Sequence, residues 1–503
     1  MDNVTRFKTA VLVDTVSIQE YIFSSNKLKE IIGASYIVER LYENDMCDVL
    51  LQHFNGKYAI GYIGGGNALV FFESVNIARE FIKEFSKYVL ENSPGIRLSF
   101  GINENFDHQN FKQSMRELHE NLKFNKNSYF PNVLTRNFGF TLECKRSRRA
   151  VEIFNGKTFE DEGLISKVSL TKLKASEKAK EELFGKIVSS EITESFSFAY
   201  ELEDVADDKD PYIAVIHIDG NKIGEKLSKC NSIGEIRSFS SLIDEVTKKA
   251  FEDTVKSIID FLKKDNDSSS FKKDERNGKT ILPLRPIIIA GDEITVISKG
   301  NIGIFFVEKY MKFFEKYSLE SMGSREKLTC SAGVSIVKQK FPFYKAYSIA
   351  EFALNKAKRE SRKEENSDTS WFYFYIVNFG NAYKENLDKL YNTPNGNLRY
   401  GPYCLNENKR CSFSNLKKLI KLLKELPKNK VLKIREILFE NYEIRKAFIN
   451  ELIVKGITIP DIEDSGREIQ DFWNNKRTLF FDAIELLDLY PEVMLNEGQN
   501  ENT

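Results

Sequence analysis

One supersecondary pattern occurs twice in this chain, and that repeat limits the fold more than any other feature. KYAIGYIGGGNALVFFESVNIAREFIKEFSKY (57–88) reads as strand, turn, strand and helix, and RPIIIAGDEITVISKGNIGIFFVEKYMKFFEKY (285–317) has the same order. The turn tetrads correspond, Gly64-Gly65-Gly66-Asn67 against Ala290-Gly291-Asp292-Glu293. Each helix opens on Asn-Ile (Asn76-Ile77 and Asn301-Ile302). Each is followed by a strand with Ser-x-Gly, in RLSFGI (97–102) and LTCSAGVSIV (328–337). The units also begin alike. KTAVLVDTVSIQEYIF (8–23) is a strand followed by a helical region to about residue 54, and PYIAVIHIDGNKIGEKL (211–227) is a strand, a glycine-punctuated turn and a helical region to about residue 264. Strand, helix, hairpin, helix, strand is the βαββαβ order of ferredoxin-like domains.

The expected class is therefore α+β, with two ferredoxin-like domains at about 1–140 and 206–385. Between them, 141–205 is charged and helix-prone, with the basic cluster Lys145, Arg146, Arg148 and Arg149. After them, 386–503 reads as a helical domain, in which Leu416, Leu419, Ile420, Leu423 and Leu426 recur at helical spacing. The length, 503 residues, suits about three domains. The polar stretch DNDSSSFKKDERNGK (265–279) reads as a mobile loop, and the last eight residues as disordered.

Composition excludes more than it assigns. Lys+Arg and Asp+Glu are both 74, so net charge gives no argument for nucleic acid. No apolar run approaches the roughly 20 residues of a membrane span. The apolar stretch near the N-terminus is cut by Asp14, too early for a signal peptide. The six cysteines include no C-x-x-C and read as free thiols of a reducing cytoplasm. Cys404 and Cys411, the only near pair, have no matching second pair to complete a zinc site.

The chemistry is expected at the second hairpin. Asp219 ends the strand YIAVIHI, and Asp292 and Glu293 sit on the hairpin that this fold places beside it. Three carboxylates in one place repel one another and raise their own pKa values. Divalent cations remove that conflict; Mg²⁺ takes one or two carboxylates plus phosphates and water, and a pair of ions suits an in-line displacement. Gly220, Gly224 and Gly291 leave room for phosphates near the backbone. Lys358 and Arg362, four apart on the helix YKAYSIAEFALNKAKRESR (344–362), share a face from which to hold a triphosphate. Each feature also has a plain reading, as a solvated turn, a helix-capping acid or ordinary surface charge. The internal control decides between them: GGGN shows that the hairpin does not need acids. The first unit, with Asp14 and no partner acids, reads as non-catalytic. Its Gly64, Gly65, Gly66 and Asn67 are equally a plain tight turn or the contact for a second nucleotide.

Several of these segments resemble a known family. SIQEYIFSSNKLKEIIGASYIVERL (17–41), IGGGNALVFF (63–72), IHIDGNKIG (216–224), AGDEITVI (290–297), SAGVSIVKQKFPFYKAYSIAEFALNKAK (331–358) and GPYCLNENKRCSFSNLKKLI (401–420) are similar to the large polymerase-cyclase subunit of type III CRISPR effector complexes. Diguanylate cyclases with a GGDEF hairpin share the palm but normally carry one. The resemblance implies conversion of ATP into cyclic oligoadenylates, with Mg²⁺ or Mn²⁺, as a messenger in antiviral defence. Carried over by position, Asp219, Asp292 and Glu293 hold the metals and are catalytic. Gly220, Asn221, Gly224 and Gly291 contact the nucleotide, and Lys358 and Arg362 neutralise phosphate. Its implied partners are a nucleoside triphosphate, guide or target RNA, other effector subunits, or a second copy of the chain.

The sequence departs from the family in three ways. The hairpin is Ala-Gly-Asp-Glu where the family usually has Gly-Gly-Asp-Asp. No His-Asp dipeptide occurs among His53, His108, His119 and His217, and the chain starts at the first palm, so a shortened form without the HD nuclease domain is expected. The four-cysteine zinc element between the palms is also missing, with Cys144 alone there. Two other readings stay open: a weakly catalytic palm scaffold that binds RNA or partner subunits through the basic stretches 145–149 and 417–433, and a free-standing cyclase with a cyclic dinucleotide product.

Overall fold

The computed structural model describes residues 3–128, 138–154, 163–206, 210–264, 278–322, 327–377, 384–457, 459 and 469–495. The two segments read as mobile or disordered, 265–279 almost entirely and 496–503 entirely, lie outside these residues.

The first palm runs β1 (Thr9–Val16), α1 (Leu28–Arg40), β2 (Tyr58–Gly64), β3 (Asn67–Phe72), α2 (Val75–Asn92), β4 (Arg97–Asn103) and α3 (Phe111–Asn127). Its sheet order is β2-β3-β1-β4, the arrangement expected of βαββαβ. Ala10, Val11, Leu12 and Val13 of β1 are essentially fully buried, which explains why that strand is an unbroken apolar run rather than an alternating one. Ser74 caps α2 by accepting a hydrogen bond from the Ile77 amide. Beneath the sheet, Phe72, Phe81 and Phe85 pack ring on ring, with Phe81 and Phe85 stacked at 5.6 Å.

The charged segment that follows contains a short strand pair, Ile153–Phe154 with Leu164–Ile165, and the helix α4 (Lys167–Ile187). Helix α4 crosses α1 at Gly33, where a Cβ would lie 1.7 Å from the Lys172 carbonyl oxygen. Charges are buried at this crossing. Glu30 accepts a hydrogen bond from the Ser169 hydroxyl at 3.1 Å and pairs with Arg146 at 3.5 Å. Lys172 Nζ donates to the Tyr21 carbonyl and to Ser24 Oγ, at 2.6 and 2.8 Å. Burial pushes the Lys172 ammonium down to about 7.

The second palm runs β5 (Tyr212–Gly220), α5 (Ile233–Lys264), β6 (Leu284–Ala290), β7 (Glu293–Lys299), α6 (Gly303–Ser321), β8 (Cys330–Lys338), α7 (Phe343–Ser361), β9 (Trp371–Val377) and β10 (Tyr403–Cys404). The sheet order is β6-β7-β5-β8-β9-β10. The first four repeat the ferredoxin-like order; β9 adds in parallel to β8 and β10 closes the edge. Ala346, Ile349, Ala350, Ala353, Leu354 and Ala357 form the buried stripe of α7, as the helical spacing predicts.

The C-terminal region is helical, with α8 (Phe413–Glu425), α9 (Lys428–Ile437), α10 (Tyr442–Val454) and α11 (Leu479–Leu486). Two buried ionic groups tie it to the second palm. Glu308 on α6 meets Lys417 of α8 at 2.6 Å, Lys312 at 3.0 Å and the Tyr490 hydroxyl at 2.8 Å. Burial raises the Glu308 carboxyl, but the two lysines outweigh it and hold the group down at about 2. Arg399 donates to Asp482 and Glu485, at 2.9 and 3.1 Å, and to the Phe374 carbonyl at 2.6 Å.

By compactness the chain divides into Met1–Glu194 with Lys222–Lys248 and Ile287–Glu293, and Ser195–Asn221 with Lys249–Pro286 and Ile294–Thr503. The first half of α5 and the tip of the β6-β7 hairpin are thus counted with the first unit. There Ile233 and Ile236 join the core of Leu12, Leu69 and Phe71, and Arg237 donates to the carbonyls of Ile60 and Gly61 at 2.7 and 2.5 Å. No described helix is long and apolar enough to cross a membrane.

Candidate functional site

The second palm's chemistry sits where β5 leaves the core. Ile213 to Ile216 and Ile218 are fully buried, whereas Asp219 is half-buried. In register, Asp219 lies opposite Ser331 of β8, and Ile218 lies opposite Ile294 of β7. Along their strands, Asp219 and Glu293 are each the next residue after that last pair.

Lys358, in the last turn of α7, makes an ion pair with Asp219. Helix packing fixes the lysine: Ala357 and Leu354 are buried beside it. The approach of helix to strand is close because Gly333 lacks a side chain. A Cβ there would lie 1.9 Å from the Ala350 oxygen and 2.3 Å from the Leu354 nitrogen. Arg362, expected to act with Lys358, is the exposed C-cap residue of the same helix.

Beyond Asp219 the turn is held by Asn221. Its backbone N–H donates to the Thr329 carbonyl at 2.8 Å, and its side-chain amide donates to Thr329 Oγ1 at 3.0 Å. Its Oδ1 accepts from Ser331 at 2.8 Å and from Ser361 at 3.3 Å. The Asn221 side chain, expected at a nucleotide, is thus engaged in holding three other residues. Lys222 follows in the left-handed region, at φ 58°, and starts the short helix Ile223–Leu227. At Gly224 a Cβ would meet nothing within 4 Å.

At the hairpin tip, Gly291 takes φ 59° with open space around it. Glycine at the first central position of a two-residue loop is what a type II′ turn requires. Within the first compact unit, Gln19 Nε2 donates to Glu293 Oε1 at 3.3 Å, and the Ser35 hydroxyl donates to the Ile287 carbonyl.

The first palm repeats much of this residue by residue. Asp14 lies opposite Ser99 in its sheet, as Asp219 lies opposite Ser331. Gly101 admits α3 as Gly333 admits α7: a Cβ there would lie 2.6 Å from the Leu118 oxygen and 2.9 Å from the Leu122 nitrogen. Four residues on from Leu122, Lys126 pairs with Asp14 at 2.5 Å, just as Lys358, four on from Leu354, pairs with Asp219. Ser17, three after Asp14, is left-handed at φ 57° like Lys222. The hairpin tips differ. Gly65 and Gly66 both have positive φ, 59° and 75°, and Asn67 Nδ2 donates to the Gly65 carbonyl at 3.5 Å.

Sequence reasoning missed Lys126, Gln19, Thr329, Ser331 and Ser361. The Ser-x-Gly repeat was the signal for Ser331, since it marks a strand that crosses the end of the first one. The others act across 108 residues or more, and nothing local marks them. The basic stretch 417–433 is largely committed. Lys417 binds Glu308, Lys424 donates to the Tyr490 carbonyl, Lys430 pairs with Glu451 and Lys433 with Glu436.

Among the described residues, no three His, Cys, Asp or Glu side chains are gathered to hold a metal ion. The donor chemistry of Asp219, a carboxylate balanced by the Lys358 ammonium, nevertheless suits a hard cation. Comparison with known proteins places this stretch. Residues 212–367 match the family model of the Cas10/Cmr2 second palm domain.

The second palm belongs to the Cas10/Cmr2 family.

The family match covers the Asp219 strand, the hairpin, Ser331 and Lys358 of this Cas10/Cmr2 palm. Solved structures extend the likeness to the fold of nearly the whole chain. A Csm1–Csm4 cassette in complex with cA4 aligns at TM-score 0.51 and 13% identity, over 96% of this chain and 70% of that one. A cassette with AMPPNP aligns at 0.51 and 14%, over 97% and 69%. Csm1 of T. onnurineus aligns at 0.51 and 13%, over 97% and 69%. No curated protein matches the chain in sequence.

Proposed function

We propose that this chain is a nucleotidyltransferase that converts ATP to cyclic oligoadenylate, with release of pyrophosphate, in a type III CRISPR-like antiviral response. The observation that carries the reading is the second palm's acid set: Asp219 paired to Lys358 at the end of β5, with Asp292 and Glu293 on the neighbouring hairpin, in the stretch that matches the family. That cassettes of similar fold were solved with cA4 and with AMPPNP supports it.

In this proposal Asp219, Asp292 and Glu293 hold Mg²⁺ or Mn²⁺, which supplies charge neutralisation at the phosphates and activation of the attacking oxygen. The chain's own residues do the rest. Lys358, leaving Asp219, presents its ammonium to phosphate oxygens, and Arg362 adds a second cation from the helix end. Gly291 and Gly224 place no side chain between backbone and phosphate. Asn221 and the two serines keep the Gly220 turn fixed. The 3′-hydroxyl of one ATP attacks the α-phosphorus of another, and the bond to the pyrophosphate leaving group breaks. The same attack within one chain closes the ring. RNA and further effector subunits are the expected partners.

The test is incubation of the chain with ATP and Mg²⁺ or Mn²⁺, with and without target RNA. Pyrophosphate and cyclic products are followed by mass spectrometry. Cyclic oligoadenylate supports the proposal, and a cyclic dinucleotide keeps the reaction class while changing the product. No pyrophosphate from any nucleoside triphosphate leaves a scaffold, not an enzyme.

A further inference from the structure

Outside the acid site, the second palm brings two thiols together at its edge. We infer that Cys404 and Cys411 are a reversible dithiol–disulfide modification site on edge strand β10. All six cysteines are free thiols. The Cys404 amide donates to the Cys411 carbonyl at 3.0 Å, and Cys404 bridges Ser412 in parallel. An amide and a carbonyl bonded across two backbones bring them to about 5 Å apart, within the roughly 4.4–6.8 Å between Cα atoms that a disulfide spans. Cys411 also packs against the cluster that Cys404 forms with Ala357 and Trp371.

The surroundings give the two sulfurs different roles. Cys404 is fully buried against Ala357 and Trp371, and its thiol also donates to the Asn406 carbonyl at 3.6 Å. Cys411 is half-buried, flanked by Arg410, with Lys409 two residues before it. The neighbouring sulfur lowers the Cys411 thiol below its ordinary value and raises that of Cys404. A half-buried thiol of lowered pKa beside a buried resolving thiol is the arrangement of redox-responsive cysteines.

With a peroxide as oxidant the steps balance. The Cys411 thiolate attacks one peroxide oxygen, the O–O bond breaks, and hydroxide leaves to take up a proton. The Cys404 thiol then attacks the sulfenic sulfur. The S–O bond breaks and water departs with the thiol proton. Two thiols and one hydrogen peroxide give one disulfide and two waters; a reducing dithiol reverses it.

The site's position gives it a reach beyond its own loop. Cys404 lies opposite Trp371, Trp371 opposite Ser331, and Ser331 opposite Asp219. Cys404 and Asp219 therefore occupy one transverse row, three strand spacings or about 14 Å apart.

The experiment uses the intact chain. It is treated with hydrogen peroxide, quenched, alkylated in denaturant and weighed. The expected product has four alkylated cysteines rather than six, the six free thiols less two. Its digest carries a 404–411 cross-link, and prior dithiothreitol restores six. In Cys404→Ser, Cys411 is expected to stop as a sulfenic acid that dimedone traps. If other cysteines oxidise while 404 and 411 stay fully alkylated, the inference fails. It also fails if, in Cys404→Ser, Cys411 takes up no more dimedone than Cys47. Should Cys404→Ser not fold, the wild-type mass decides alone.

Discussion

The two palms are the same machine at the seam and different machines at the rim. In both, a glycine on the last ferredoxin-like strand lets a helix lie against the sheet, and that helix brings a lysine to the aspartate of the first strand. An aspartate–lysine pair is thus a property of this fold in this chain and does not by itself mark chemistry. Two things set the second palm apart. Its hairpin carries Asp292 and Glu293 where the first has Gly66 and Asn67. The turn after its strand opens on Asn221, where the first palm has Val16. Asn221 gives the Ser331 hydroxyl a partner; the corresponding Ser99 hydroxyl is buried with none among the described residues.

The comparison breaks most visibly in turnover. Asp219→Asn, or Asp292→Asn with Glu293→Gln, is expected to lower pyrophosphate release roughly a hundred- to thousandfold, while Asp14→Asn stays within a few-fold of the parent. Equal losses would make the first palm a catalytic partner. Next come the seam glycines. Gly333→Ala drives a methyl into backbone at 1.9 Å and Gly101→Ala at 2.6 Å. Both should destabilise by about 1–3 kcal/mol or more, Gly333→Ala the more severely, as read by urea unfolding.

A third difference lies in what packs on α6 of the second palm. The Glu308 carboxyl, at about 2 in the fold against 4.5 as its ordinary value, is depressed. Its stabilisation is therefore complete above about pH 4.5 and lost as pH falls toward 2. Glu308→Gln should flatten the acid limb of stability measured between pH 5 and 3. The smallest effect separates the two serines. Ser331→Ala is expected to cost about 1 kcal/mol, and Ser99→Ala to be neutral or slightly stabilising, because it removes an unpartnered hydroxyl. If both cost the same, the Asn221 contrast carries no energy.

The sequence made the palms legible because their cores are local statements. Unbroken apolar strands, a helical stripe from Ala346 to Ala357 and a hairpin repeated with a different tip all lie within short windows. Asp219 could be named because it ends such a strand. Lys358 could be named as a cation, yet not as the partner of Asp219, since 139 positions separate them in sequence and only packing joins them. Arg399 with Asp482 was invisible for the same reason, and so was the commitment of Lys417 to Glu308. The left-handed Ser17 and Lys222 escaped too, because neither residue type advertises positive φ as glycine does. The lysines of 417–433 read as one basic face in sequence. In the fold four of them are tied down by acids or carbonyls, which composition cannot show.

The glycine seam has a bearing on how such a domain can change over time. Where a helix rests on a strand with no room for a methyl group, the glycine itself is closed to variation, and Gly101 and Gly333 stand at matching places. Residues at the open end meet solvent and can be exchanged one by one. A palm with this seam keeps its glycine and can part from its copy most freely at the tips of its strands. That is where GGGN and AGDE now stand.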